Sequence, residues 1–540
     1  MDILILALNS KYIHSSLAPW YLKAEVPEAE VCEHTVNEDL DLIVNKIVDK
    51  SPKLLALSVY IWNVKLAEKI LSKVKDMLPN IVTVVGGPEV SYNPREVLDR
   101  FKTVDFVISG DGELPFKALC DFVLHGKKGE LPGISYKEII SSPFINTETP
   151  KSPYTAEYFN TLNGRIAYFE SSRGCPYRCA YCLSGRAECV RFFEMDYVKE
   201  NLLKLANSGT KTVKFVDRTF NADKKRALEI FSFLIDGSGI AFPKDVCFHF
   251  ELSADLIDDE TVKMISCAPC GLFQFEIGIQ SFNRLTIDVI HRKTDNDTLK
   301  HRIKELVKLG NTHIHTDLIA GLPYEDYDTF VGSFNQAYEL GADMLQLGFL
   351  KILHGTELEE KALEYCLSYS KEPPYEVYET PWLSKADFEK LKVTEKAVEK
   401  IHNSGRFERT ILLCLPWFNS AYEFFFECGC ATHSTHNLDE LTNALFAFLS
   451  TRFRDCSEKI RDALVCDRLA TNSSRGLPKA LYRNDERIKN IKKRLNETLK
   501  ANGKRNIAIL YHEQKAVYAD YDNKNSPKEY NLHFIDLKEI

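Results

Sequence analysis

Apolar runs of strand length alternate with helical patterns through the first two thirds of this chain, and that rhythm confines it to folds built on parallel sheets. Strand candidates at Ile3 to Leu8, Leu54 to Val59, Ile81 to Gly86 and Phe106 to Ser109 have helices predicted between them, at Leu40 to Lys50, Val64 to Met77 and Pro94 to Phe101. Helix-length crossovers join parallel neighbours, so residues 1–125 are read as one open α/β sheet. Further candidates at Arg165 to Glu170, Thr212 to Val216, Cys247 to Leu252, Phe273 to Ile279, His313 to Ile319 and Met344 to Phe349 predict a partial (β/α)6 barrel within residues 165–368. Residues 126–164 are rich in Gly, Pro, Ser and Lys and read as a linker with one short hairpin. Residues 369–540 are expected to form a mostly helical C-terminal extension. Its helices are predicted from Lys385 to Ser404 and Leu438 to Phe453, and a small terminal sheet from Arg505 to Leu510 and Glu529 to Leu537.

Charge narrows the partners. A net charge of -8 and a pI near 6.0 give no global signature of nucleic-acid binding, which disfavours such a partner without excluding a local basic patch. Met1 to Leu8 lacks the basic flank and cleavage site of a signal peptide and reads as a buried first strand. No apolar run is long enough to span a bilayer, so the expectation is a cytosolic protein without membrane attachment. Its 15 cysteines are then expected to be reduced, most of them packed as small hydrophobes. The close pairs Cys267 with Cys270 and Cys428 with Cys430 offer an auxiliary cluster, but the first ends a predicted helix and the second follows an aromatic-rich segment, which favours an ordinary structural role; the aromatic run from Trp417 to Phe426 is read as core.

One cysteine group is different. Arg173-Gly174-Cys175-Pro176-Tyr177-Arg178-Cys179-Ala180-Tyr181-Cys182 places three thiols within eight residues, directly after an apolar run. A structural zinc site takes four protein ligands, whereas an iron–sulfur cube held by three thiolates keeps one iron open. Gly174 permits a tight turn, Pro176 stiffens the loop, and Arg173 and Arg178 bring positive charge that favours thiolates.

On these residues the chain resembles the radical S-adenosylmethionine (SAM) superfamily, with Cys175, Cys179 and Cys182 matching its CxxxCxΦC signature and Tyr181 as the aromatic Φ, placed to stack on a planar group. The resemblance implies a [4Fe–4S] cluster whose open iron chelates SAM and whose electron cleaves it to a 5′-deoxyadenosyl radical. Gly86-Gly87-Pro88-Glu89 and Gly110-Asp111-Gly112-Glu113 look like the Rossmann-like, cobalamin-binding-type domain that precedes many such cores. The DxHxxG loop of classical B12 domains is absent, and His14 lies in the corresponding loop outside that motif.

Later stretches, Gly278-Ile279-Gln280-Ser281, Arg292 and Asp317-Leu318-Ile319-Ala320-Gly321-Leu322-Pro323, are similar to the anaerobic coproporphyrinogen oxidase branch. By that resemblance Glu251 would hold the SAM ribose, Gln280 and Arg292 the methionine carboxylate, and Asp317 would lie near ribose or adenine. Asp217, in Phe215-Val216-Asp217-Arg218-Thr219-Phe220-Asn221, could accept from the SAM ammonium or serve as a helix cap. The extension resembles an uncharacterised family that joins a B12-like domain to a radical SAM core, and it would act as a substrate cap or a packing module.

The fold implied is therefore a Rossmann-like domain, a TIM-like radical SAM barrel and a helical extension. Bound cobalamin would imply methylation of an unactivated carbon. A cobalamin-free first domain would imply oxidation or rearrangement, and a non-catalytic iron–sulfur or cobalamin sensor is the reading of another class. The partners implied are a small-molecule substrate and a reduced flavodoxin or ferredoxin-type electron donor.

Overall fold

Every residue of the first strand, β1 (Ile3–Asn9), is buried, because helices cover both faces of its sheet. The computed structural model describes residues 2–127, 129–186, 189–472, 476–499, 506–526 and 529–539. Following β1 come α1 (Ala18–Glu25), β2 (Glu30–Thr35), α2 (Leu40–Lys50), β3 (Leu54–Ser58), α3 (Val64–Met77), β4 (Val82–Gly86), α4 (Pro94–Arg100), β5 (Phe106–Ile108), α5 (Glu113–His125) and β6 (Ile134–Ser135). The strand order is β2-β1-β3-β4-β5-β6, parallel except for β6. Ile43, Ile47, Ile70 and Leu71 from α2 and α3 seal one face, and Phe116 and Leu119 from α5 seal the other. β2 has no counterpart among the predicted strands: in Glu30-Val31-Cys32-Glu33-His34-Thr35 only His34 is buried, so this edge strand lacks an apolar run.

The glycines at two strand ends serve the chain's own backbone. Gly87 has φ +109°, and a Cβ there would lie 2.6 Å from the Val59 carbonyl oxygen. Gly110 has φ +87°, and a Cβ would stand 2.1 Å from the carbonyl oxygen of Phe144. That approach is a hydrogen-bonded one, since Asp111 N–H donates to Phe144 O at 2.8 Å and Phe144 N–H donates to Ser109 O at 2.9 Å. The segment read as a linker thus runs along the sheet edge, adding β6 and continuing through α6 (Ala156–Asn160).

The next elements are β7 (Ala167–Phe169), β8 (Ser172–Arg173), β9 (Arg191–Phe192), α7 (Met195–Ala206), β10 (Thr212–Phe215), α8 (Lys224–Gly237), β11 (Cys247–Leu252), α9 (Asp259–Ser266), β12 (Phe273–Gln280), α10 (Arg284–Val289), α11 (Asn296–Leu309), β13 (His313–Ala320), α12 (Tyr327–Tyr338) and β14 (Met344–Phe349). The sheet order is β14-β13-β12-β11-β10-β7, and β7, β10, β11 and β12 pair in parallel, as a partial (β/α)6 barrel requires. Strand alternation separates two environments. Phe215, Phe248, Phe250, Phe273 and Phe275 are fully buried on the helix side, several of them against Phe231 of α8. Tyr168, Lys214, His249, Gln274 and Glu276 face the interior, where Lys214 donates to Glu276 at 2.9 Å and His249 Nε2 meets the same carboxylate at 2.9 Å.

The chain divides into two compact bodies, the first comprising residues 1–315, 321–325 and 349–382 and the second residues 316–320, 326–348 and 383–540. The first ends with α13 (Glu357–Glu360), β15 (Ser368–Tyr369) and β16 (Val377–Glu379). The extension contributes α14 (Lys385–Ala397), α15 (Glu408–Cys414), α16 (Ala421–Thr432), α17 (Leu438–Arg452), α18 (Ser457–Thr471), α19 (Arg487–Leu499), β17 (Ile507–Leu510), β18 (Lys515–Ser526) and β19 (Glu529–Asp536). Where one helix is predicted to Ser404, α14 gives way to a π-helical turn over Val398–Asn403, and Asn403 uses its side chain on Leu345 N–H and C=O at 3.0 Å each. The aromatic run is core: Tyr422, Phe424 and Phe425 of α16 are buried, and Tyr422 and Phe425 meet Phe334 of α12. No described helix is long and apolar enough to cross a membrane.

Gly110→Ala is expected to lower unfolding stability by about 2–4 kcal/mol, combining a left-handed backbone with a clash against Phe144. Gly126→Ala, at φ +62° with nothing within 4 Å of the added Cβ, should lose only about 1 kcal/mol. Urea unfolding of the two variants measures the difference.

Candidate active site

The cysteine loop is clamped at both ends. β8 and β9 pair across it as an antiparallel ladder, and Gly174 turns the chain at φ +96°. Within the loop Cys182 N–H donates to Cys179 O at 3.0 Å, while Ala180 N–H donates to Ile290 O at 3.0 Å. A Cβ on Gly185 would approach Cys179 O at 2.8 Å, so the return of the chain under the loop requires glycine. Cys179 is buried and Cys175 and Cys182 are half-buried. Burial pushes the Cys179 thiol up, the Arg292 guanidinium opposes this, and the other two cysteines stand close enough to raise it further. Among the described residues no three His, Cys, Asp or Glu side chains converge tightly enough to hold a single metal ion. An iron–sulfur cube spreads its thiolates over separate irons, whereas a zinc knuckle gathers four ligands on one ion.

Arg173 faces carboxylates rather than thiols. Its guanidinium pairs with Glu113 at 2.5 Å, Glu170 at 3.0 Å and Asp111 at 3.2 Å, and lies over the rings of Tyr21 and Phe193. Asp111 also pairs with Arg191 of β9 at 2.5 Å. The acidic residues that end β5 therefore anchor the base of the cysteine loop instead of standing open to a ligand.

The strand ends supply the remaining groups. Asp217, just past β10, is buried and accepts from Ser171 N–H at 2.9 Å and from the Ser171 and Ser172 hydroxyls at 2.6 and 2.5 Å. Its carboxylate is directed at the approach to the cysteine loop. Glu251, at the end of β11, is pushed up to about 6 by burial, against the pull of Arg218. Gln280, at the end of β12, has φ +69° and folds its amide back over Gly278, where a Cβ would lie 2.2 Å from Gln280 Nε2. Arg292 Nη2 donates to the Gly278 carbonyl, and Tyr181 and Cys179 stand beside this guanidinium. Gln280 Oε1 and Arg292 Nε are buried without a hydrogen-bond partner. Asp317 lies on β13, two residues beyond His315, in the portion that belongs to the second body.

At the carboxyl edge of the first sheet, Tyr60 and Trp62 stack at 4.4 Å after β3, and Trp62 is 48% exposed. Tyr12 and Ile13, after β1, are also exposed, Tyr12 at 67%. Neither Trp62 nor Tyr12 stands out in the sequence, because isolated aromatics in loops carry no periodic signal. His14 is occupied: its Nδ1 meets the Tyr168 hydroxyl at 2.7 Å, Arg165 donates to its carbonyl at 2.6 Å, and it bridges to Ile166 beside β7. Burial and Lys11 hold its pKa below the usual imidazole value.

Family comparisons agree with this layout. A B12 binding domain model matches residues 3–120, a radical SAM superfamily model matches residues 169–337, and a model described as a protein of unknown function, DUF4080, matches residues 363–538. The segment over residues 169–337 carries the radical SAM superfamily pattern. Among its relatives, the cobalamin-dependent radical SAM methyltransferase TokK of Streptomyces tokunonensis is 28% identical over 54% of this chain and 47% of its own. The 2-(S-pantetheinyl)-carbapenam-3-carboxylate methyltransferase of Streptantibioticus cattleyicolor is also 28% identical, over 54% of this chain and 45% of its own. The chain thus spans about half the length of these curated relatives. The solved structure of the cobalamin-dependent SAM radical enzyme OxsB superposes with TM-score 0.58 at 15% identity, covering 92% of this chain and 75% of that one, and shows a shared fold.

Within this radical SAM core Glu251 is held at a cost. Its folded pKa of about 6 lies above the unfolded value, so ionising it destabilises the native state as pH rises through 4.5 to 6. Glu251→Gln is expected to unfold like the parent below pH 4.5 and to be more stable by about 2 kcal/mol above pH 6, read from urea unfolding across that range.

Proposed function

We propose that this chain is a radical SAM enzyme that carries cobalamin in the domain spanning residues 3–120 and transfers a methyl group to an unactivated carbon of a small molecule. The observation that carries the reading is the meeting of the cysteine loop with the unpartnered Gln280 Oε1 and Arg292 Nε at the strand ends of the barrel. Buried polar atoms without partners are rare in a finished core and mark places where a ligand completes the bonding. Cys175, Cys179 and Cys182 would hold a [4Fe–4S] cluster, and Gln280 with Arg292 would take the methionine carboxylate of SAM. A guanidinium suits a carboxylate because its planar fork bonds both oxygens. Glu251 would accept from the ribose hydroxyls.

Asp217 is assigned a positioning role, since its oxygens already hold Ser171 and Ser172. Tyr181 packs against Cys179, which assigns it to the cluster side of the site. The exposed apolar groups Tyr12, Ile13 and Trp62 at the edge of the first sheet suit the broad face of a corrin. When bound, the cluster and SAM supply hydrogen-atom abstraction and cobalamin a transferable methyl group. A reduced flavodoxin or ferredoxin-type protein would provide the electron. The names of the relatives support methyl transfer over oxidation, and the orphaned atoms at the strand ends support an enzyme over a sensor.

Anaerobic reconstitution with iron, sulfide, cobalamin, SAM and a reductant is expected to give bound cobalamin and to release 5′-deoxyadenosine and S-adenosylhomocysteine. A protein that takes up the cluster but forms neither product would overturn the enzyme reading. Cys179→Ala should lose the iron–sulfur absorbance and all SAM cleavage, while thermal unfolding of the cofactor-free protein changes little.

A further inference from the structure

We infer that Thr219 sets the reduction potential of the cluster through a hydrogen bond to Cys175; this rests on the reading of the cysteine loop given above. Thr219 follows β10, is only 8% exposed, and places its Oγ1 3.4 Å from Cys175 Sγ and 2.9 Å from the Arg218 carbonyl oxygen. A threonine hydroxyl has one proton and here faces two acceptors. While Cys175 is a thiol, its S–H can donate to Thr219 and the Thr219 hydroxyl to Arg218 O. A cysteine bound to iron is a thiolate and has no proton, so only the hydroxyl can close the contact. Metal uptake therefore turns the Thr219 proton from the carbonyl toward sulfur.

The distance is braced from both sides. Asp217, two residues before Thr219, holds Ser171 and Ser172, which precede Cys175 by four and three residues. Phe220, immediately after Thr219, is buried against Phe215, Phe231 and Phe250. Strand end and cysteine loop are thus carried on one junction, and the hydroxyl cannot drift from the sulfur without disturbing it.

One-electron reduction adds negative charge to the cluster and its thiolates. A donor on a ligating sulfur stabilises the reduced form more than the oxidised one and moves the potential in the positive direction. The Thr219 hydroxyl thereby makes the cluster easier for a biological reductant to charge.

The test is a redox titration of the reconstituted full-length protein without SAM, with dithionite as reductant and the electron paramagnetic resonance signal of the reduced cluster as readout. Thr219→Val, which keeps the β-branch and removes the donor, is expected to shift the midpoint to more negative potential. Thr219→Ser, which restores the hydroxyl, should return it to the parent value. An unchanged midpoint in Thr219→Val would overturn the inference, and so would loss of the cluster from that variant, which would make the contact a structural one. A parent protein that takes up no iron–sulfur cluster would instead overturn the function proposed above, and the inference with it.

Discussion

Three carboxylates on one guanidinium hold the first body together around its site. Glu113 and Asp111 come from the end of β5, Glu170 from the end of β7, and Arg173 stands at the mouth of the cysteine loop. Such a buried cation would destabilise the fold if alone, and each carboxylate would do the same without it, so the pairs are strongly coupled. Glu170, pushed up by burial and pulled down by Arg173, shows both effects on one group. The consequence is geometric: the sheet that ends in β5 and the loop that carries the thiols cannot move independently. Asp111 extends the lock to Arg191, so both strands of the ladder around the loop are tied to the same point.

The interior of the barrel follows a different rule from its outside. Parallel barrels commonly fill their interiors with branched apolar side chains. Here the helix-facing positions are phenylalanines and the interior positions are charged or polar, with Lys214 and His249 both bonded to Glu276. The Lys214 and Glu276 side chains keep 27% and 23% of their exposure, so water reaches them. Glu276 is held down to about 2 by His249 and Lys214 against the effect of burial, while His315, on the same face of β13, is pushed down to about 3 by burial. A mutually satisfied polar interior keeps the barrel from collapsing into an apolar plug below the strand ends. Above it, Glu251, Gln280 and Arg292 are left strained, destabilised or short of partners, the condition expected of groups waiting for a ligand.

Much of this was legible in the chain. The strand over Cys247–Leu252 and that over Met344–Phe349 fall where their apolar runs end, because strands buried on one face announce themselves by composition. The cysteine loop was marked by its spacing and the strand-end residues Gln280 and Arg292 by family resemblance, and the structure brings Arg292 beside Cys179 and Gln280. β2 escaped because an edge strand with one buried side chain has no apolar signature. Asp217 was legible as a polar group at a strand end, but whether it faces a ligand or two serines depends on residues about 45 positions earlier.

Local chemistry was therefore determined by sequence alone: which segments are strands, where the chain must turn, and which three thiols share one loop. The partners of long-range polar groups were decided only by the tertiary structure. Arg173 next to the thiols reads as a counter-charge for them, yet the Glu113 carboxylate arrives from 60 residues away and fills its fork. Gly110 reads as a close backbone approach or a tight turn, and only the fold shows that Phe144 is what approaches. Hydrogen bonds and ion pairs are short-ranged and directional, so their assignment waits on which surfaces the fold brings within about 3 Å.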